Sequence, residues 1–336
     1  MTKTEPQLTT RLPVEVAIVC YPGAQATSIH GLTDLFTYAD FFAREHAALT
    51  DNHVRVTHWR PNELGSALEC SFESHPGADR APDVVIMPAC SIAPPTQGMA
   101  PDCTAWVARK HAEGSIVAAV CGGVFLLADT GLLNGRRATT HWMFASELGH
   151  RHPQMRIDAD RLVIDDGDLI TAGGVLAWAD LGLSLVERLL GPTVMSSTAH
   201  FMLMDPPGRE QREYGAFTPR LQHADKVILG IQHWLQANAA SACTVTELAD
   251  RAGLGARTFL RRFVKATGCK PSEYHQRLRV NRARELLEFS RDGVEQIALA
   301  TGYEDAGGFR RNFKRVVGLS PAEYRRRFQR ERLATA

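Results

Sequence analysis

No apolar run in this chain approaches the roughly 18 residues that a membrane span requires. The opening segment, MTKTEPQLTTRLP, is polar and lacks the apolar stretch of a secretory signal, so it reads as a short flexible lead-in to a cytoplasmic protein. Paired cysteines are missing too. The seven cysteines (Cys20, Cys70, Cys90, Cys103, Cys121, Cys243 and Cys269) are odd in number, scattered, and nowhere spaced as C-x-x-C. That argues against a disulfide framework and against a zinc cluster; most are expected as small buried apolar groups, and neither metal nor cofactor is expected. Net charge is nearly absent, +1 over 336 residues, but the balance conceals two opposed halves. Residues 225–336 carry 21 Lys and Arg against 12 Asp and Glu, a net of +9, and residues 1–224 carry 17 against 25, a net of −8. A basic block joined to an acidic one suggests one part that meets a polyanion and one that does not, although a solvated basic helix surface has the same charge. The composition, 44% hydrophobic and 22% charged, is globular, and the length suits two domains.

The first half alternates strand and helix signals. Residues 14–21, 54–59, 83–89 and 115–120 are apolar and β-branched, and helical stretches lie near 31–47, 102–113 and 123–133. Near-continuous apolar strands separated by helices imply a parallel sheet covered on both faces. Residues 161–172 read as a hairpin around Asp166-Gly167, residues 176–190 as a helix ending at Gly191-Pro192, and 193–203 as a further helix. Residues 205–223 hold three prolines and no periodic apolar face, which is the pattern of a linker. The expected organisation is a domain over 12–192, a helix and linker over 193–224, and an all-helical domain over 225–328.

The second half repeats itself at an offset of 50: FVKATGCKPSEY (263–274) returns as FKRVVGLSPAEY (313–324). Two copies are too few for a solenoid and imply two related helical subdomains. In the first copy a short helix (245–252), a glycine turn at Gly253 and a second helix (256–266) form a helix-turn-helix over about 245–266. Phe259 and Phe263, four apart, face the core. Arg257, Leu260 and Arg261 share the opposite side, where a major groove would accept them and an arginine can make two hydrogen bonds to guanine. Arg262 and Lys265 flank that side as phosphate contacts. The second copy spans about 294–316, with Phe309 and Phe313 inward, Arg310 and Arg311 outward, and Lys314 and Arg315 behind as phosphate contacts. An ordinary basic surface helix is the competing reading for either copy alone.

These segments carry a specific resemblance. LADRAGLGARTFLRRFVKATGCKPSEY, LRVNRARELL and IALATGYEDAGGFRRNFKRVVGLSPAEYRRRF look like the AraC/XylS family DNA-binding domain, over residues 226–327. The resemblance implies seven helices and two recognition helices that enter successive major grooves of double-stranded DNA. It places Arg257, Leu260 and Arg261 at base-facing positions of the first, and Ala306, Gly307, Arg310 and Arg311 in the second. The chain departs from the family at Gly307-Gly308, where polar side chains are more usual. Each glycine costs about 1 kcal/mol of helix propensity, and neither can read a base, so the first unit is expected to give most of the direct readout.

In the first half, SIVAAVCGGVFLL (115–127) runs an apolar strand into Cys121-Gly122-Gly123 and then a helix, the layout of a nucleophile elbow. The helix N-terminus would favour a thiolate at Cys121, and ATTHW (138–142) places His141 and Trp142 at the end of another expected strand. A Cys/His pair can perform nucleophilic catalysis, and His141 could equally be a satisfied core histidine. VEVAIVCYPGA, GLTDLF, DVVIMPA, AVCGGVFLLADTGLLNGRRATTHW and ITAGG resemble the PfpI/ThiJ superfamily, and more closely the PfpI-like half of GlxA-type AraC regulators, over residues 14–190. That resemblance implies a flavodoxin-like α/β sandwich, a homodimer, and, at the family level, effectors that are small amino acids or quaternary amines. Enzymes of the superfamily carry an acidic residue after the first strand; Ser28 stands there in this chain, with Asp34 in the following helix. The expected effector pocket is therefore Ser28, Cys121, Gly122 and His141, with Trp142, Trp178 and Phe125 as an aromatic face for a cation or as core. The leading reading is a sequence-specific DNA-binding transcriptional regulator controlled by a small metabolite. The alternative is a cysteine-dependent amidase- or hydratase-like enzyme using Cys121 and His141, with a DNA-binding domain attached. Redox sensing at Cys121 is a third reading, without an identifiable resolving cysteine.

Overall fold

The computed structural model describes residues 13–47, 53–62, 67–77, 80–90 and 93–329. The polar opening read as a flexible lead-in, residues 1–12, lies outside the described residues. The chain divides into two compact units, Met1–Gln211 and Arg212–Ala336.

In the first unit, β1 (Val14–Val19), β2 (Val54–Pro61), β4 (Val84–Met87), β5 (Ile116–Val120) and β9 (Leu169–Ala172) run parallel, and β3 (Leu68–Glu73) and β8 (Val163–Asp165) are antiparallel edges. Among the described residues the order is β3-β2-β1-β4-β5-β9-β8. The continuous apolar runs follow from burial on both faces. Val16 and Ile18 of β1 point into one core with Leu32, Leu35 and Leu181, and Ala17 and Val19 into another with Trp106 and Leu126. The first core is covered by α1 (Ala26–Ala47), α5 (Trp178–Leu190) and α6 (Pro192–Phe201), the second by α2 (Pro101–Ala112) and α3 (Gly123–Asp129). β8 and β9 form the hairpin expected around Asp166-Gly167. Two elements carry no periodic signal in the sequence: β3, an edge strand whose side chains are mostly exposed, and α4 (Ala145–Arg151). The strand expected to carry His141 is only β6 (Arg137–Ala138), paired with β7 (Arg156–Ile157); it stops three residues short.

The second unit is helical: α7 (Lys226–Ala237), α8 (Val245–Arg251), α9 (Ala256–Thr267), α10 (Pro271–Phe289), α11 (Val294–Ala300), α12 (Ala306–Val317) and α13 (Pro321–Phe328). Local chemistry sets the boundaries. Asp225 caps α7, Thr244 and Glu247 form a capping box on α8, and Ser320 and Glu323 form another on α13. Gly268 and Gly318 end α9 and α12 in the left-handed conformation, at φ 81° and 91°, and a proline opens the helix after each. The 50-residue sequence repeat is thus a structural repeat.

Residues 212–223 have no apolar period, and polar side chains of the helices hold much of their backbone, with Phe217 packed against Tyr274 and Tyr214 against Phe328. Asn281 of α10 accepts from the Phe217 amide at 3.0 Å and donates to its carbonyl at 2.6 Å. Arg284 donates to the Arg212 carbonyl at 2.7 Å, and Arg327 to Glu213 at 2.7 Å.

Candidate functional site

α9 is strongly two-faced. Phe259, Phe263 and Ala266 are buried, whereas Arg257, Leu260, Arg261, Val264 and Lys265 are exposed. Arg257, Arg261 and Lys265, each four apart, line one stripe with Leu260 and Val264 beside it. None of the three cations has a side-chain hydrogen bond or ion pair among the described residues, so each carries undivided charge. A stripe of free cations flanked by apolar groups matches a major groove, which offers acceptors on guanine and methyl groups on thymine. Arg262 turns elsewhere: Nε and Nη2 donate to Asp225 at 2.8 and 2.7 Å. That pairing holds the Asp225 carboxyl below the usual carboxylate range.

α12 repeats the design with Phe309, Phe313 and Val317 buried and Arg310, Arg311, Lys314 and Arg315 exposed. Arg311 and Lys314 have no side-chain hydrogen bond or ion pair among the described residues. Arg310 pairs with Glu295 of α11 at 2.5 Å, and Arg315 donates to Gln276 at 2.9 Å and to Asn312 at 2.5 Å. Asp305 caps the helix by accepting from the Gly308 amide at 2.7 Å. A Cβ on Gly307 would lie 2.9 Å from the Asp305 carboxylate; the glycines lower helix propensity but leave room for this cap.

In the first unit the expected pocket residues gather at the carboxyl ends of the parallel strands, where open α/β sheets hold ligands. Cys121 sits at φ +53°, in the left-handed region that disfavours a side chain. Gly123 follows because a Cβ there would lie 2.3 Å from the Pro88 carbonyl oxygen. Ser28, at the start of α1, accepts from the Ala89 amide through Oγ at 3.4 Å. Cys121 and Ser28 are 1% and 0% exposed and Gly122 is buried, while His141 and Trp142 are half-buried.

The sequence leaves the ionisation of Cys121 open, with the helix N-terminus favouring a thiolate. Burial pushes its thiol up to about 12, with Cys90 adding to the rise, against backbone N–H groups of Gly122, Gly174 and His141 that pull it down. Desolvation outweighs a helix of two turns. The His141 imidazole does not pair with Cys121: only the His141 backbone N–H meets the thiol, and no hydrogen bond is found between the two side chains among the described residues. Its Nδ1 accepts from the Met143 amide at 3.2 Å, so the neutral ring carries its proton on Nε2. Burial lowers its pKa.

Two residues missed in the sequence complete this region. Cys90 packs over the elbow, its sulfur 2.1 Å from where a Cβ on Gly122 would lie. Gln211, buried, clamps the loop 139–142: Nε2 donates to the carbonyls of Thr140 at 2.9 Å and Ala159 at 3.0 Å, and Oε1 accepts from the Trp142 amide at 2.9 Å. Thr140 Oγ1 in turn donates to the Cys121 carbonyl at 2.7 Å. No sequence signal pointed to either. Trp142, His141, Phe144 and Phe125 form a chain of neighbouring rings. Trp178 is not part of it; it packs against the other core. Among the described residues no group of three metal-ligating side chains occurs, and no helix is long and apolar enough to cross a membrane.

Residues 68–188 match the DJ-1/PfpI family and residues 248–327 a helix-turn-helix domain family. The HTH-type transcriptional regulator CdhR of Pseudomonas aeruginosa is 27% identical over 232 residues, 69% of this chain and 69% of that protein. The HTH-type transcriptional regulator GlxA of Rhizobium meliloti is 28% identical over 222 residues, 65% of this chain and 68% of that one. Among solved structures, DJ-1beta of Drosophila melanogaster matches 58% of this chain and 100% of its own, at 21% identity and a TM-score of 0.45.

Proposed function

We propose that this chain, whose residues 68–188 match the DJ-1/PfpI family and whose residues 248–327 match a helix-turn-helix domain, and which is similar to HTH-type transcriptional regulators, binds specific double-stranded DNA through α9 and α12 and answers to a small metabolite held at the elbow of its first unit. The observation that carries the DNA reading is the unpaired stripe of Arg257, Arg261 and Lys265 on α9; on α12 the unpaired Arg311 stands 50 residues after Arg261, at the offset of the sequence repeat, with the unpaired Lys314 three residues further on. In this proposal Arg257, Leu260, Arg261 and Arg311 meet base edges, and Lys265 and Lys314 meet phosphates. The protein acts as a cytoplasmic homodimer, and its first unit senses rather than catalyses. The strained backbone of Cys121 favours the enzyme alternative; its buried, un-ionised thiol and the tautomer of His141 stand against it.

The test is binding of the purified chain to its own upstream DNA and to a genomic fragment pool, across a salt series, for wild type and Arg261→Ala. Specific binding that weakens steeply with salt is expected, with a loss of about 1–3 kcal/mol of specific binding in the variant. Absence of specific binding, with and without added metabolite pools, overturns the reading.

A further inference from the structure

The two helices that face DNA in this proposal stand on separate apolar cores. One joins Ile228, Ile231, Leu235, Phe259, Phe263 and Tyr274; the other joins Val280, Leu287, Ile297, Phe309, Phe313 and Tyr324. Among the described residues only α10 contributes to both, and a helix shared end to end leaves each subdomain free to rock against the other. What braces them is polar and centres on Arg279, in the middle of α10.

The Arg279 guanidinium donates from Nε to the Ala239 carbonyl at 2.9 Å and from Nη2 to those of Ser241 at 3.1 Å and Ala240 at 3.4 Å. These carbonyls lie just beyond the C-terminal end of α7, where a positive charge is favoured. His275 adds a hydrogen bond between Nε2 and the Ala239 carbonyl at 2.8 Å. On its other side the guanidinium lies 5.6 Å from the centre of the Tyr303 ring. Tyr303 Oη accepts from Asn312, within α12, at 2.5 Å. The same loop rests on the second subdomain's turn, because a Cβ on Gly302 would lie 2.0 Å from the Ala240 oxygen. Gly253, at the matching turn of the first copy, has positive φ as well but nothing within 4 Å. The close approach at Gly302 therefore belongs to the junction and not to the turn.

We propose that Arg279 is a positioning residue for DNA recognition: it ties the Ala239–Ser241 loop of the first subdomain to Tyr303 and, through Asn312, to α12 of the second. The two recognition helices then meet DNA at a set separation, and the protein reads the distance between two sub-sites as well as their sequence. The proposal rests on the DNA-binding reading above. A planar fork is needed to reach three carbonyls while lying against a ring, and a lysine offers neither. A rigid joint makes affinity depend on phase, because two inserted base pairs rotate one sub-site by roughly 70° on a helix of about 10.5 base pairs per turn. A loose joint tolerates the insertion but holds the second helix at its sub-site at a lower effective concentration.

The experiment uses the full chain and a duplex that the wild type selects from a random pool. Affinities are measured for that duplex, for versions with either sub-site scrambled, and for versions with one or two base pairs inserted between them. The proteins are wild type, Arg279→Ala, Arg279→Lys and, as a control on the same helix, Arg282→Ala. Wild type and Arg282→Ala are expected to lose about tenfold or more on the two-base-pair insertion. Arg279→Ala and Arg279→Lys are expected to bind the single sub-sites within about twofold of wild type, to bind the intact site about tenfold more weakly, and to lose little more on insertion. If Arg279→Ala does not give a helical, cooperatively melting protein, Gly302→Ala strikes the junction from the other side and should likewise change the spacing profile. The proposal is overturned if Arg279→Ala keeps the wild-type insertion penalty, if its single-site and intact-site affinities fall in parallel, or if wild type is indifferent to spacing. A wild type that selects no duplex overturns the DNA-binding reading itself.

Discussion

Arg262 donates from Nε and Nη2 of its guanidinium to the two carboxylate oxygens of Asp225, the residue that caps α7, at 2.8 and 2.7 Å. Read from sequence alone, Arg262 and Lys265 are equivalent phosphate contacts beside the same stripe. In the folded unit they differ: the charge of Arg262 is already balanced and that of Lys265 is not. Arg262→Ala should lower the melting temperature of the second unit, through the loss of a tie between α9 and α7, and leave the salt dependence of DNA binding nearly unchanged. Lys265→Ala should leave melting unchanged and reduce the slope of log K against log salt by about 1. Equal reductions in slope for both variants would return Arg262 to the phosphate backbone.

Arg310 faces outward but is shared with Glu295 at 2.5 Å, both side chains being more than half exposed. To meet DNA it must leave that carboxylate, which also repels phosphate. Glu295→Gln removes the competitor and should tighten DNA binding about threefold or more at low salt, an effect that shrinks as salt rises. The measurement is the salt series already described; unchanged affinity would mean that Arg310 does not reach DNA.

How far this was legible in the sequence depends on the range of the interaction. Gly268 and Gly318, each followed by a proline that opens the next helix, are punctuation whose meaning is local, so the repeated helix-turn-helix could be read directly. The same holds for β4, whose four apolar residues need no partner to declare burial on two faces. The charge state of Cys121 was not legible because it is set by what covers the residue, including Cys90, which is 31 positions away in sequence. The tautomer of His141 was not legible because it is set by the Met143 amide, a matter of local turn geometry. Residues 205–223 were read as linker, and within them 212–223 are held by Asn281, Arg284 and Arg327, polar side chains of distant helices that leave no apolar period behind.

His275 ties α10 to the Ala239 carbonyl through Nε2 at 2.8 Å, with Nδ1 3.3 Å from the Cys243 sulfur. Burial lowers its pKa below the ordinary 6.5, nearby Arg279 adds to the fall, and the Ala239 carbonyl opposes it. With the folded pKa below the unfolded one, the unfolded chain takes up the proton first as pH falls. Stability is therefore complete above about pH 6.5 and is lost as pH drops from there through the folded pKa. The melting temperature of wild type should fall between pH 7 and pH 5.5, and His275→Gln should flatten that slope. His58 and His141, also lowered by burial, leave a residual slope of the same sign. An identical slope in wild type and His275→Gln would show that His275 does not contribute to it.

Cys121 offers the sharpest contrast between sensing and catalysis. Its thiol is 1% exposed and pushed up to about 12, whereas Cys70 lies exposed on edge strand β3. At pH 8, well below that value, the Cys121 thiol stays protonated. Alkylation by iodoacetamide at pH 8, followed by peptide mass spectrometry, should modify Cys70 long before Cys121, which should react fully only after denaturation. A nucleophile used for turnover would have to be reachable and partly ionised in the folded state. Labelling of Cys121 at a rate comparable to Cys70 would mean that the elbow opens in solution. It would also bring the cysteine-dependent enzyme reading ahead of the sensor.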